Sequence, residues 1–354
     1  MRAFEEGASL PEPFDALACD LARFQASRIP GYARLCRARG VDLPSLCRAI
    51  DAPAVPTDVF KRARIATFPE SKQTRVFYTS GTTVGARGRH VFRDLATYDE
   101  ASLALGRRAL TSGLPLPAPL LVLASKPSLD DDSSLVHMLS AFVAALGEPA
   151  SEDETYFVDG DVLATSRLEA RVARARQAER PVLLLGTSFA YVHLLDALGD
   201  ERLPLPPGSR LMQTGGFKGR SREVRSSHLG EALAWTFGLP PRSIVSEYGM
   251  TELSSQFYEA TLLDPGAPHG VYMEPPWARV VPVDPEALRP VPEGEVGLAR
   301  VEDLANVDSA FAVQTQDRAR RVEGGFELLG RAPGAPPRGC SIAIDEILGA
   351  SEAL

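Results

Sequence analysis

Lysine is nearly missing from this chain: of 354 residues and 38 basic side chains, only Lys61, Lys72, Lys126 and Lys218 are lysines. None follows a glycine, so a GK[ST] phosphate loop of the Walker type is excluded. Cysteine is equally scarce, with Cys19, Cys36, Cys47 and Cys340 and no CxxC. That rules out both a disulfide framework and a zinc pattern and suits a reducing compartment. The five histidines, His90, His137, His193, His228 and His269, never fall at metal-ligand spacing, and GxGxxG, GxSxG and HExxH are all absent. Apolar runs such as 119–124 and 181–186 are too short to cross a bilayer. The amino terminus is acidic and lacks the basic-then-apolar order of a signal peptide. With 46 acidic residues the formal charge is −8, which disfavours nucleic acid and anionic membrane as partners. The reading is a cytoplasmic protein with no membrane span.

The chain is 44% hydrophobic and long enough for two or three compact units. Its first 50 residues read as helical, with Phe14, Leu17, Leu21 and Phe24 spaced for one face. A proline-rich segment, 51–61, leads to a strand near 74–79. From Ala118 onward apolar strands (120–124, 182–185, 210–214, 243–246) alternate with helices (133–146, 162–177, 187–198, 222–237), the pattern of an α/β domain with a largely parallel sheet. After Gly270 the pattern turns to β-strands separated by Pro and Gly turns. The expected division is an α/β body over 1–269 and a β-rich region with a short tail over 270–354.

Four loops carry the polar chemistry. Residues 78–88, YTSGTTVGARG, put four Ser/Thr hydroxyls and three glycines after a strand, with Arg87 and Arg89 close by, a composition that lets N–H groups and hydroxyls converge on an anion. Residues 246–252, SEYGMTE, turn at Gly249 and end on Thr251 and Glu252; the carboxylate suits Mg²⁺ on substrate phosphates, and the bland alternative is a helix start capped by Thr251. Residues 213–219, QTGGFKG, offer paired glycines where a flat ring can approach the backbone. Thr315-Gln316-Asp317, followed by Gly330-Arg331, offers a carboxylate for ribose hydroxyls.

In this order the loops resemble the adenylate-forming superfamily of acyl- and aryl-CoA ligases: TSGTT resembles its phosphate-gripping loop, YGMTE its YGxTE motif and TQD its TGD motif. Val84 and Arg87 depart from the usual Gly and Lys. Within that superfamily the chain most resembles LuxE-type acyl-protein synthetases, over nearly its whole length: PAVPTDVFK, QTGGFKG, YGMTELSSQFY, PPWARVVP and the closing RGCS at 338–341. The resemblance implies a layered α/β adenylate-forming fold with a smaller β-rich carboxyl-terminal region. It also implies that the mobile carboxyl-terminal domain of typical members is truncated, since 23 residues follow Arg331 and no lysine follows Lys218.

It further implies ATP and Mg²⁺ as cofactors and a carboxylic acid of the fatty acid class as substrate. Thr79, Ser80, Gly81, Thr82, Thr83 and Arg87 would hold phosphates, and Gly215 and Gly216 the adenine edge. Tyr248, beside Gly249, would meet the adenine face or the substrate. Thr251 would contact the α-phosphate, Glu252 the metal, Asp317 the ribose beside Arg331, and Lys218 phosphate or carboxylate. Cys340 would accept the acyl group for delivery to a partner acyl reductase or acyl carrier, its thiol pKa lowered by a flexible cationic setting near Arg338. Left open are a CoA ligase resembling phenylacetate-CoA ligases, with Cys340 incidental and leading a strand over 341–344, and a degenerate scaffold subunit. His137 reads as a pocket wall or a core residue, with a place on the substrate side as the alternative, Asp130 to Asp132 as a helix cap, and Arg171, Arg174 and Arg176 as a solvated face.

Overall fold

The computed structural model describes residues 4, 12–79, 87–128, 132–160, 162–215, 226–333 and 338–349. From residue 12 the chain runs into two helices, α1 (Phe14–Arg28) and α2 (Pro30–Ala38). A short strand β1 (Val55–Pro56) and a 3-10 turn over Thr57–Lys61 lead to the hairpin β2 (Arg75–Tyr78) and β3 (Arg89–Phe92). Next come helix α3 (Ala96–Thr111), β4 (Leu120–Ser125) and helix α4 (Ser134–Leu146). They are followed by β5 (Tyr156–Asp159), β6 (Val162–Leu163), helix α5 (Thr165–Gln177), β7 (Leu183–Thr187) and helix α6 (Ser188–Leu198). β8 (Arg210–Thr214), helix α7 (Ser226–Phe237) and β9 (Ile244–Tyr248) complete the alternating half. The rest is β10 (Phe257–Glu259), β11 (Val271–Met273), β12 (Ala278–Val283), β13 (Val296–Asp303), β14 (Ala312–Val322), β15 (Gly325–Arg331) and helix α8 (Arg338–Leu348).

One sheet joins both halves in the order β12-β13-β14-β15-β11-β10-β9-β8-β7-β4-β5-β6, with β1 added along β14. From β5 to β9 the pairings are parallel, and from β9 to β12 antiparallel. The parallel strands are apolar on both faces because helices cover both. Leu120, Val122, Leu183, Leu185, Met212 and Val245 face α3 and α4, whereas Leu121, Leu123, Leu184, Leu211 and Ile244 face α5, α6 and α7. Two of the site-bearing loops, those after β8 and β9, leave the carboxyl ends of these strands, where open α/β sheets bind ligands.

Several local expectations change. The helix expected from Val162 starts at Thr165, because Val162 and Leu163 pair with β5 as an edge strand. Helix α1 buries Ala18, Cys19, Ala22, Gln25 and Ala26, with the Phe14 to Phe24 row only half-buried. Small residues let α1 approach closely, and Gln25 anchors it by donating to Asn306 O at 3.0 Å and accepting from Phe311 N at 3.0 Å. Ser133, not Asp132, caps α4 by accepting from Val136 N, and Asp130 and Asp131 lie outside the described residues. Arg171 is buried rather than solvated, held by Glu148 at 2.7 Å. Cys19 and Cys36 are buried and Cys47 is exposed. Residues 341–344 are helical, not a strand. Among the described residues no helix is long and apolar enough to cross a membrane.

Candidate active site

The phosphate-type loop springs from the β2–β3 hairpin, and its base is tied on both sides. Thr79 N–H donates to Gly88 O at 2.9 Å, and Gly88 N–H donates back to the Thr79 hydroxyl at 2.9 Å. Arg87 donates to Thr79 O at 2.8 Å and pairs with Asp132 at 2.5 Å, while Tyr78 N–H donates to Asp132 O at 2.8 Å. The guanidinium expected on phosphate is thus already matched to a carboxylate that sits just ahead of α4. Asp132 is a partner of this loop rather than a helix cap. Ser80, Gly81, Thr82 and Thr83 lie outside the described residues, as do Gly216 and Lys218.

The second loop leaves β9 as an irregular turn, so the alternative of a helix capped by Thr251 does not hold. Two buried groups set its shape. Thr251 O accepts from His90 Nδ1 at 2.7 Å, which fixes that nitrogen as the protonated one. Burial lowers the His90 pKa to about 4, so the ring is neutral. Glu252 O accepts from Asn306 Nδ2 at 2.9 Å, and Asp303 accepts from the backbone N–H of Ser254 and Ser255, each at 2.9 Å. Burial raises the Asp303 pKa, and those hydrogen bonds work against the rise. The Glu252 side chain is buried at this turn. Among the described residues no group of three His, Cys, Asp or Glu could hold a metal. A single hard carboxylate fits a Mg²⁺ that arrives on nucleotide phosphates rather than one caged by protein.

Asp317 closes the opposite wall. Its carboxylate accepts from the Tyr248 hydroxyl at 2.8 Å, and its N–H donates to the Thr315 hydroxyl at 3.0 Å. Burial, reinforced by Asp317, pushes the Tyr248 phenol well above its usual range. Asp317 faces Arg331 in the β14–β15 register, where a bulge interrupts the ladder. Gln316 accepts weakly from Arg331 at 3.4 Å and donates to Asp58 at 2.9 Å. Asp58 also holds Lys61 at 2.6 Å.

Cys340 belongs to this neighbourhood. Helix α8 packs on α2, on β1 and on the 57–61 turn, which brings the thiol under the influence of Asp58. The sulfur is buried, and burial first and Asp58 second raise its pKa to about 11, with Arg39 opposing. The expected lowered pKa is corrected accordingly: the docked helix shields the thiol from water more than it surrounds it with positive charge. Arg39 grips Glu346 at 2.9 Å and Arg34 donates to Ile347 O. A Cβ on Gly339 would stand 2.9 Å from Glu286 O, so the start of α8 fits closely.

Gly215 follows β8 with φ +75, exposed, and with no atom within 4 Å of a would-be Cβ, an open face suited to a flat ring. His137 is half-buried, its Nε2 at 2.7 Å from Asp99, its ring beside Phe77 and Tyr98. The structure joins Tyr248 to Asp317 directly and places Arg87 at the loop base. The sequence reading missed His90, Asn306 and Asp58, each a partner from a distant segment. It also missed Glu247, although a charged residue in the apolar strand IVSEY is a signal that was there to be read.

This architecture is that of the adenylate-forming ligases. The chain superposes on a 2-hydroxyisobutyryl-CoA ligase bound to an acyl-AMP with a TM-score of 0.64 and 16% identity, covering 90% of this chain and 67% of that one. On ATP-bound MatB from Rhodopseudomonas palustris the TM-score is 0.51 at 17% identity, over 72% of this chain, and the chain spans 47% of MatB's length. At such identities the likeness concerns the fold. Residues 20–349 match the family described as acyl-protein synthetase, LuxE, and the chain belongs to that family. It is 23% identical over 309 residues to the long-chain-fatty-acid–luciferin-component ligase of Aliivibrio fischeri, covering 86% of this chain and 78% of that protein. It is also 23% identical over 312 residues to the ligase of the same name from Vibrio harveyi, covering 84% and 78%.

Proposed function

We propose that this protein activates a carboxylic acid, of the fatty acid class named for its relatives, with ATP, and passes the acyl group to Cys340 for delivery to a partner acyl reductase or acyl carrier. In the first step a carboxylate oxygen bonds to the α-phosphorus of ATP, and the bond to pyrophosphate breaks with its electron pair. In the second, sulfur bonds to the acyl carbon, AMP leaves with the anhydride electron pair, and the thiol proton passes to solvent.

The chain's own contribution is placement. Asp317, oriented by Tyr248, accepts from ribose hydroxyls, with Arg331 at its side. Thr79 and the loop after it take the phosphates, Gly215 and Gly216 the adenine edge, and Thr251, fixed by His90, the α-phosphate. Gly249 lets the strand end turn, and Lys218 and His137 remain candidates for the substrate side. Mg²⁺ bound beside Glu252 would neutralise phosphate charge.

The observation that carries the reading is the packing of α8, which bears Cys340, on the 57–61 turn, whose Asp58 accepts from Gln316 beside Asp317. As docked, the thiol is protonated and covered, so transfer requires α8 to release it. Intact-mass measurement after incubation with ATP, Mg²⁺ and a fatty acid tests this. A thioester adduct absent from Cys340→Ser is expected, and its absence from the unaltered protein overturns the transfer step. The burial of Cys340 favours a second reading, with CoA as acceptor and Cys340 structural, and a CoA thioester formed equally well by Cys340→Ser would establish it.

A further inference from the structure

Behind Tyr248, on the α3–α4 side of the sheet, polar side chains are buried among hydrocarbons. Glu247 is 5% exposed and shares its face of β9 with Val245. Its Oε2 accepts from the Thr214 hydroxyl on neighbouring β8. Its Oε1 lies against Gly249: a Cβ there would stand 2.5 Å from that oxygen and 3.2 Å from Cγ of Gln256. The carboxyl and the Gln256 side chain are therefore neighbours. Gln256, 6% exposed, donates through Nε2 to the Tyr98 hydroxyl at 3.4 Å, while its Oε1 has no partner among the described residues. Tyr98 in turn donates to Ser134 O at 3.1 Å, at the start of α4 and one turn from His137. Among the described residues no Lys, Arg or His pairs with Glu247.

Polar side chains buried with acceptor capacity left unpaired destabilise the fold. A pocket that receives only an alkyl chain gains nothing from them, and leucine at both positions would be more stable. Gln256 Oε1 and the ionised Glu247 carboxylate both offer acceptors, so their complement is a donor. Glu247 precedes Thr251 by four residues, so with Thr251 at the α-phosphate as proposed above, a donor meeting Glu247 would sit within the first few carbons of the activated carboxylate.

We propose that Glu247 and Gln256 form an acyl-recognition subsite that selects a carboxylic acid bearing a hydrogen-bond donor near its carboxylate, a hydroxyl or an ammonium, over the unsubstituted acid. The inference rests on acid activation as proposed above and names the substrate class. A site built to hydrogen-bond such a group discriminates strongly against the analogue that leaves it unpaired.

The test is carboxylate-dependent ATP–pyrophosphate exchange by the full chain with octanoic, 3-hydroxyoctanoic and 3-aminooctanoic acids, for the natural sequence, Glu247→Leu, Glu247→Gln and Gln256→Leu. At least one donor-bearing acid is expected to exceed octanoic acid in kcat/KM by about tenfold or more. That ratio is expected to fall toward one in Glu247→Leu and in Gln256→Leu. Glu247→Gln distinguishes the two donors: it retains preference for a hydroxyl and loses preference for an ammonium. A ratio is insensitive to partial misfolding, and Gln256→Leu carries the comparison if Glu247→Leu does not fold. Octanoic acid as the best substrate, or a ratio unmoved by both leucine variants, overturns the inference and leaves acid activation standing. Exchange with none of the three acids removes acid activation and the inference together.

Discussion

The Tyr248 hydroxyl donates to the Asp317 carboxylate at 2.8 Å, across 69 positions of sequence. This bond joins the turn that would hold the α-phosphate to the strand that would hold the ribose. Tyr248→Phe is expected to weaken ATP, raising its apparent KM by roughly 5- to 30-fold, the effect of about 1–2 kcal/mol for a charge-assisted hydrogen bond. A KM for the acid that rises as much as that for ATP would count against this role.

Asn306 holds Glu252 O at 2.9 Å and Ala310 O at 2.8 Å from a buried position. Asn306→Ala leaves both carbonyls unpaired and should destabilise the fold by about 2–3 kcal/mol, read from the urea midpoint. Pyrophosphate exchange per folded molecule should fall as well, because the turn bearing Thr251 and Glu252 loses its anchor. Unchanged exchange in the folded fraction would show that the anchor serves stability alone.

His90 and Glu247 oppose each other with pH. Folded His90 titrates near 4 against 6.5, so between those values the unfolded chain binds more protons and stability rises with pH; the contribution is complete above 6.5 and lost toward 4. Burial lifts Glu247 to about 7 against 4.5, so there the folded chain binds more protons and stability falls as pH rises. The windows overlap and the slopes cancel in large part. Glu247→Gln is expected to expose a rise of up to about 3 kcal/mol between pH 4 and 6.5. A flat profile in that variant would falsify a neutral buried His90.

Docking of α8 sets the reactivity of the tail thiol. At neutral pH iodoacetamide should modify exposed Cys47 well before Cys340, whose pKa is near 11. Glu346→Ala removes the grip of Arg39 and should speed modification of Cys340 several-fold, as followed by peptide mass. Equal rates in the two proteins would mean that this ion pair does not hold the helix.

The motifs legible in the sequence are those made by consecutive residues. TSGTT, YGMTE and TQD stand out because a tight turn compresses its chemistry into a few positions. The alternating half was likewise plain, since doubly covered strands such as LLVL are apolar without interruption. The remainder depends on pairs far apart in the chain. Arg87 looked like a free cation until the fold set Asp132 opposite it, and Arg171 looked solvated until Glu148 was brought against it. The apolar row of α1 pointed to the wrong face because its small residues pack closer than its large ones. For Cys340, flanking residues suggested a cationic setting, whereas burial of the helix that carries it decided the pKa.

Gly339 enters the protein against Glu286 O with room for hydrogen only. The resting position of the thiol next door is therefore conditional on a single missing methyl group. Alanine at 339 would oblige the start of α8 to stand off from the 284–288 turn. The chain could then keep its sheet and the loops proposed for nucleotide while no longer covering the thiol. Storage and activation would be separable by one carbon atom.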